Sequence, residues 1–358
     1  MSHLSSGAAV GKVLAGAWRS SPPNFEISYE ELNQVCPLLL GSGGAALGWR
    51  RVRHSEFANS LGASQLREAY YSSAIWTALQ EIDLAGIFTL LRSAGVEPIL
   101  IKGWALARLY PETALRPPGD IDLCVAPQQQ DLAESVLRTP EGSEYCVDLM
   151  HEEVGKMEDQ SFDLLYDRSQ LVDLDGHQIR ILGPEDHLRI LCLHFLKHGG
   201  YRPLWLCDIA VALESRPADF NWSLCLGESR RRAHWVCCAL ALAHQLLGAR
   251  IERTPVEATP TDQPSWLLPS VLKRWNNPYP VHLPLIMDQI ASCWFQPMHL
   301  LKSLSDRWPT PVEATIRLRG SFNELPRLPY QVANCLCRAA KLLPQLQRLL
   351  RRPATPSS

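Results

Sequence analysis

The 358-residue sequence lacks the features that mark several large protein classes. Its charge is nearly balanced, 35 Lys and Arg against 37 Asp and Glu, for a formal net charge of −2. The chain as a whole is therefore not an electrostatic nucleic-acid binder, and no DNA partner is expected. Its eleven cysteines are odd in number and irregular in spacing, and neither Cys237-Cys238 nor Cys335 with Cys337 has zinc-site separation. No apolar run reaches the length that crosses a bilayer, and Met1 to Ser21 has no apolar core of the length a signal peptide needs. No segment is repeated. These absences lead to the expectation of a cytoplasmic protein with reduced thiols and no membrane partner. The hydrophobic content of 46% supports a sizeable core, in one large domain or two ordinary ones.

The stretch that carries chemistry is Pro98 to Val125, PILIKGWALARLYPETALRPPGDIDLCV. An apolar run of strand length, Pro98 to Ile101, leads directly into Lys102-Gly103, and Trp104 to Tyr110 follows with helical spacing. The stretch closes on Asp120-Ile121-Asp122-Leu123-Cys124-Val125. On a strand this alternation puts Asp120 and Asp122 on one face and Ile121 and Leu123 on the other. Adjacent carboxylates repel, and a divalent cation relieves the repulsion. Mg²⁺ suits such oxygen donors when substrate phosphates complete its shell. A glycine after a strand admits a phosphate close to the backbone, and the N-terminus of a following helix favours the anion. D-x-D alone also occurs on edge strands that bind nothing. The order strand, Lys-Gly, helix, D-x-D is the more specific signal.

These residues resemble the signature of the DNA polymerase β-like nucleotidyltransferase superfamily, a glycine-bearing turn followed by alternating hydrophobic and Asp positions. More narrowly, Leu100-Ile101-Lys102-Gly103-Trp104-Ala105-Leu106, Tyr110-Pro111, Arg116 and Asp120 to Val125 are similar to the uncharacterised nucleotidyltransferase family. The chain departs from the wider superfamily in having Lys-Gly where Gly-Ser is usual. The resemblance implies an α+β fold: a polymerase β-like core on a small mixed sheet, with helical regions before and after it. It also implies a third carboxylate from a neighbouring strand. Tyr145 to Met150 alternates as a strand should, which nominates Asp148, with His151 displaced by one from the family position. The segment HFLKHGG followed by WLCDIA resembles a further family element. By that likeness Lys197 and His198 line the nucleotide cleft and Asp208 holds a histidine.

Along the rest of the chain, residues 1–25 are small and polar and are expected to lack order. Residues 26–96 read as a helical lead-in packed on the core. Ser28 is the N-cap before Glu30-Glu31, and a stripe of Leu66, Tyr70, Ala74, Leu79, Ile82, Ile87 and Leu90 ends at Gly95. Residues 97–183 form the catalytic core and include a hairpin turning at Asp175-Gly176. Residues 184–250 form a helical region closing the cleft, with His187, Leu191, His194 and His198 on one face. Residues 251–352 form a helical C-terminal region with a proline-rich linker, and 353–358 a disordered tail. In its last part, Leu336, Ala340, Leu343, Leu346 and Leu350 suit one face of a packing helix whose outer face is basic.

The reaction implied is nucleotidyl transfer from an NTP such as ATP. Asp120 and Asp122 bridge two Mg²⁺ ions, with Asp148 on the second as ligand and base. Lys102, the Gly103 backbone and Arg116 neutralise the triphosphate, and pyrophosphate leaves. A sugar, a peptide, a protein side chain or an RNA end each fits as acceptor. Two other readings keep the same fold: a catalytically silent nucleotide-binding regulatory module, and a toxin-like nucleotidyltransferase acting on tRNA or a companion protein. The intact set Asp120, Asp122 and Asp148 argues against the first.

Overall fold

The computed structural model describes residues 6–24, 26–150, 161–258, 263–276 and 308–350. Five short strands make one mixed sheet: β1 (Ile99–Leu100), β2 (Ile121–Cys124), β3 (Val147–Leu149), β4 (Gln170–Leu174) and β5 (His177–Ile181), in the order β3-β2-β1-β5-β4. β2 runs antiparallel to β1 and parallel to β3, β1 runs parallel to β5, and β5 runs antiparallel to β4. The β4–β5 hairpin turns at the expected dipeptide. Asp175 (φ 49°) and Gly176 (φ 86°) are both left-handed, as a two-residue type I′ turn requires.

Alternation along β2 separates two environments. Ile121 and Leu123 join Leu100 and Ile181 in an apolar layer against Leu84, Ile87, Phe88 and Leu91. Those four belong to helix α4 (Leu61–Ser93). On the other face Ile99, Ile101 and Cys124 meet Leu165, Leu182 and Ile190, near helices α7 (Phe162–Arg168) and α8 (Pro184–Lys197). A larger helical core joins α1 (Ser6–Leu14), α2 (Tyr29–Ser42) and α3 (Ala45–Val52) to α8, α9 (Pro203–Glu214) and α11 (Arg230–Leu247), with α10 (Trp222–Leu226) at its edge. α5 (Trp104–Ala107), α6 (Gln130–Leu137), α12 (Pro255–Ala258), α13 (Leu267–Trp275), α14 (Pro311–Arg317) and α15 (Leu328–Leu350) complete the helices among the described residues.

Several expectations hold, and several need correction. Ser28 caps α2 with a full capping box: its hydroxyl accepts from the Glu31 amide, and the Glu31 carboxylate accepts from the Ser28 amide. Residues 6–24 are not disordered. α1 buries Val10, Val13 and Leu14, and its small residues serve close packing. A Cβ on Gly7 would lie 2.6 Å from the Leu272 carbonyl oxygen. The predicted stripe on α4 is right at its ends and wrong in its middle. Leu66 and Ile87 are buried, whereas Leu79 and Ile82 face outward with Tyr71, Ile75 and Trp76. Ser73 and Thr77 take the buried side there. By length and composition α4 is also long and apolar enough to cross a membrane, contrary to the reading of run lengths above. His151 lies outside the described residues, as do the 353–358 tail and the proline linker in part.

Candidate active site

Three loops and two helices bring the expected residues around one open cleft of about 410 Å³. Its floor is the acidic face of β2 and β3. The parallel register sets Asp122 directly opposite Asp148. Side chains in register on neighbouring strands share a face about 4.8 Å apart, so the pairing fixes both carboxylates on the cleft side. Asp120 precedes β2 by one residue and shares that side by the two-residue period. Its Oδ1 accepts from the exposed thiol of Cys146 at 3.3 Å.

Lys102 leaves β1 at the point where the Ile101 amide bonds the Asp122 carbonyl. Its Nζ lies 3.2 Å from Asp122 Oδ1. Burial raises the Asp122 carboxyl above its ordinary range, Lys102 and His194 pull it back, and Asp148 adds to the rise. The net direction is upward, so the ionised form of Asp122 is held at a cost. Gly103 has φ 68°, a left-handed conformation that disfavours other residues. The helix after it is one turn long, too short for a developed dipole, so the expected helix-terminus contribution to anion binding is corrected to the Lys102 charge and the Gly103 amide.

The loop 112–119 is tied along the middle of α4. Tyr70 donates to Glu112 (2.6 Å), the Ser73 hydroxyl to the Ala114 carbonyl (2.7 Å) and Gln80 to the Gly119 carbonyl (2.6 Å). The polar residues that interrupt the apolar stripe thus set the loop from which Arg116 and Asp120 project. Arg116 lines the cleft, yet its Nε and Nη2 make a bidentate pair with Asp208 at 3.0 and 3.1 Å. The Tyr110 hydroxyl donates to the same carboxylate at 2.9 Å. Burial disfavours the Arg116 charge, and the Asp208 carboxylate outweighs it, leaving the guanidinium more firmly protonated than usual. Asp208 therefore holds an arginine and a tyrosine, not the histidine expected of it.

The opposite wall comes from the end of α8 and the start of α9. His194, His198 and Trp205 meet at a tilt or edge to face with ring centroids 4.5 to 5.2 Å apart, and the Arg202 guanidinium lies 5.6 Å from the Trp205 ring centre. His198 lines the cleft, as do His194, Arg202 and Trp205. Lys197 is half-buried and is not among the lining residues, because one residue on a helix turns the side chain by about 100°. Cys146 and Arg202 were not singled out from sequence, and Tyr110 and Trp205 stood in the family-like motifs with no role assigned to them. The signal for Tyr110 was Asp208 itself, an acid set among apolar residues in the middle of its helix, which requires buried partners.

Carboxylate oxygens on one strand face suit a hard divalent cation. Among the described residues, however, no group of three or more His, Cys, Asp or Glu side chains is drawn together as a metal cluster. Lys102 occupies the charge of Asp122 in this state.

The sequence profile of a family described as uncharacterised nucleotidyltransferase matches residues 45–248. That span takes in α3 through α11 and every residue lining the cleft. The crystal structure of an antigenic nucleotidyltransferase-like protein from Paracoccidioides brasiliensis is similar at 14% identity, covering 49% of this chain and 94% of that one, with a TM-score of 0.36. No curated protein matches the chain.

Proposed function

The chain belongs to the uncharacterised nucleotidyltransferase family, and from that premise we propose that it moves a nucleoside monophosphate from an NTP to an acceptor hydroxyl with release of pyrophosphate. The observation that carries the reading is the register of β2 and β3. It sets Asp148 opposite Asp122 on the floor of a cleft whose rim holds Lys102 and Arg116. Acidic residues on one side and fixed cations on the other suit a reaction that gathers a polyanion beside a nucleophile.

Magnesium bound by Asp120, Asp122 and Asp148 would neutralise phosphate charge and make the acceptor hydroxyl a better nucleophile. The protein's own groups do the rest. Arg116 is held at its Nε and Nη2 edge by Asp208, and the remaining Nη1 edge is the part free to meet phosphate from the cleft. Lys102 shifts from Asp122 toward phosphate once that carboxylate has another cation. The Gly103 amide adds a neutral donor where no side chain intrudes. His194, His198 and Trp205 offer flat faces for a base. The acceptor oxygen attacks the α-phosphorus, its proton passes to the Asp148 carboxylate, and the bond to the bridging oxygen of the β-phosphate breaks.

The test is to incubate the full chain with each NTP labelled at the α-phosphate, Mg²⁺ and a cell extract, then to identify what becomes labelled and to measure pyrophosphate. Labelled product that requires both Asp120 and Asp122 supports the reading. Equal labelling by the Asp120→Asn variant removes it.

A further inference from the structure

Helix α15 is docked with its sides reversed. The face it turns to the protein is polar. Asn334 is 3% exposed, Gln331 donates to the Pro309 carbonyl at 2.7 Å, and Arg338 pairs with Glu313 of α14. Positions 331, 334 and 338 lie on one side of the helix. The other side carries Leu328, Val332 and Leu336 at i, i+4 and i+8, and these are 60%, 41% and 66% exposed. Leu325, just ahead of the helix, is exposed as well. The expectation of a packing helix with a basic outer face is corrected for Leu336 and Ala340, which face outward; the side chains of Leu343, Leu346 and Leu350 lie outside the described residues.

Charge indicates what covers that face. After Glu324 the sequence contains no acidic residue, and Lys341, Arg348, Arg351 and Arg352 are basic, while Arg327 is buried and Arg338 is paired with Glu313. A polyanion such as RNA would match the charge but leave the leucines in water. An apolar protein groove would match the leucines without requiring one sign of charge. An anionic lipid surface matches both, since a helix lying in the interface sets its apolar side among acyl chains and its basic residues at the headgroups. We propose that α15 is an in-plane membrane-binding helix that docks the protein on anionic lipid through Leu328, Val332 and Leu336. A helix lying in the plane needs no bilayer-length apolar run, so the earlier expectation of no membrane partner, which rested on run length, does not bear on it.

The experiment is co-sedimentation of the full chain with vesicles of phosphatidylcholine alone and of phosphatidylcholine with about a third phosphatidylglycerol. The expected result is at least about tenfold tighter binding to the anionic vesicles, weakened by high salt. The Val332→Glu, Leu336→Glu double variant should lose about tenfold or more of that binding with an unchanged melting temperature, since both side chains are exposed. Four results overturn the proposal. The first is no preference for anionic vesicles. The second is equal sedimentation of the double variant. The third is a dimer in light scattering that the double variant dissociates, which would make a second copy of this chain the occupant. Retention of RNA binding by the double variant, without vesicle binding by the native chain, would equally count against it.

Discussion

The two walls of the cleft are built by opposite means. On the sheet side Asp120 and Asp148 are exposed, carried by a loop and by a three-residue strand at the sheet edge. On the helical side Arg116, Asp208 and Tyr110 are almost wholly buried, and every polar contact among them is made away from water. The first wall keeps Asp120 and Asp148 solvated, where substitution costs little stability, and only Asp122 is largely buried, beside Lys102. The second embeds its charges in a core, where loss of one partner strands the other. Chemistry and stability are thus separated across a single cleft, and substitutions on each side should distinguish them.

The largest expected effect falls on the sheet wall. Asp122→Asn should lower transfer on the order of a thousandfold. It should not lower the melting temperature at neutral pH. Because burial raises this carboxyl in the fold, its ionisation disfavours the native state as pH rises from the ordinary carboxylate range through the raised value, and Asn removes that penalty. A drop of many degrees in the variant would show that the sheet wall is structural, and the contrast would fail. On the helical wall, Asp208→Ala should cost about 3–5 kcal/mol in urea denaturation, the usual result of stranding a buried arginine. A loss below about 1 kcal/mol would mean that water reaches Arg116 and that the two walls are alike.

Asp148→Ala sharpens the picture within the sheet wall. It should keep nucleotide binding and lose about a hundredfold in turnover, as expected of a group that acts mainly on the transition state. Parallel loss of binding in calorimetry would move Asp148 to the phosphate side. The smallest effect concerns His187, buried on α8 and pushed down to about 3 by desolvation, with Arg108 and Arg116 adding to the depression. Its folded value lies below its unfolded one, so its contribution is complete above pH 6.5 and is lost as pH falls toward 3. The limiting slope is about 1.4 kcal/mol per pH unit. His187→Leu should flatten the acid limb of a stability–pH curve by that amount. Identical limbs would show that the imidazole already finds a proton partner.

The acidic wall was legible because its information is local. Asp120, Ile121, Asp122 and Leu123 state their own alternation, so period two placed the first two carboxylates, and the family resemblance pointed to Asp148 in a second alternating run. The Asp175-Gly176 turn was legible for the same reason. The helical wall was not, because its pairings join positions nearly a hundred residues apart. Arg116 read as a phosphate-binding residue and Asp208 as the holder of a histidine until packing brought the two together. The middle of α4 misled for another reason. Leu79 and Ile82 fit an apolar stripe, but Ser73 and Thr77 were needed on the inner side, and periodicity cannot tell a hydroxyl that bonds a loop from one that faces water. The glycines of α1 were misread as disorder because composition does not distinguish a flexible glycine from one pressed against a neighbouring backbone.

Helix α4 also restricts how the chain can change in length. Its 33 residues span about 50 Å. Ala63 and Leu66 near one end sit in the helical core, and Leu84, Ile87, Phe88 and Leu91 near the other sit under the sheet. Deleting one residue between them would turn one end by about 100° relative to the other and draw it in by about 1.5 Å. Both cores would then meet the wrong side of the helix, and the ties from Tyr70, Ser73 and Gln80 to the loop would fall out of phase. Insertions of about seven residues, close to two whole turns, keep the phase but push the cores some 10 Å apart. The helix is therefore a gauge with a fixed number of teeth: relatives that keep this cleft can vary the loops at either end, while the count of residues from Ala63 to Leu91 has to stay the same.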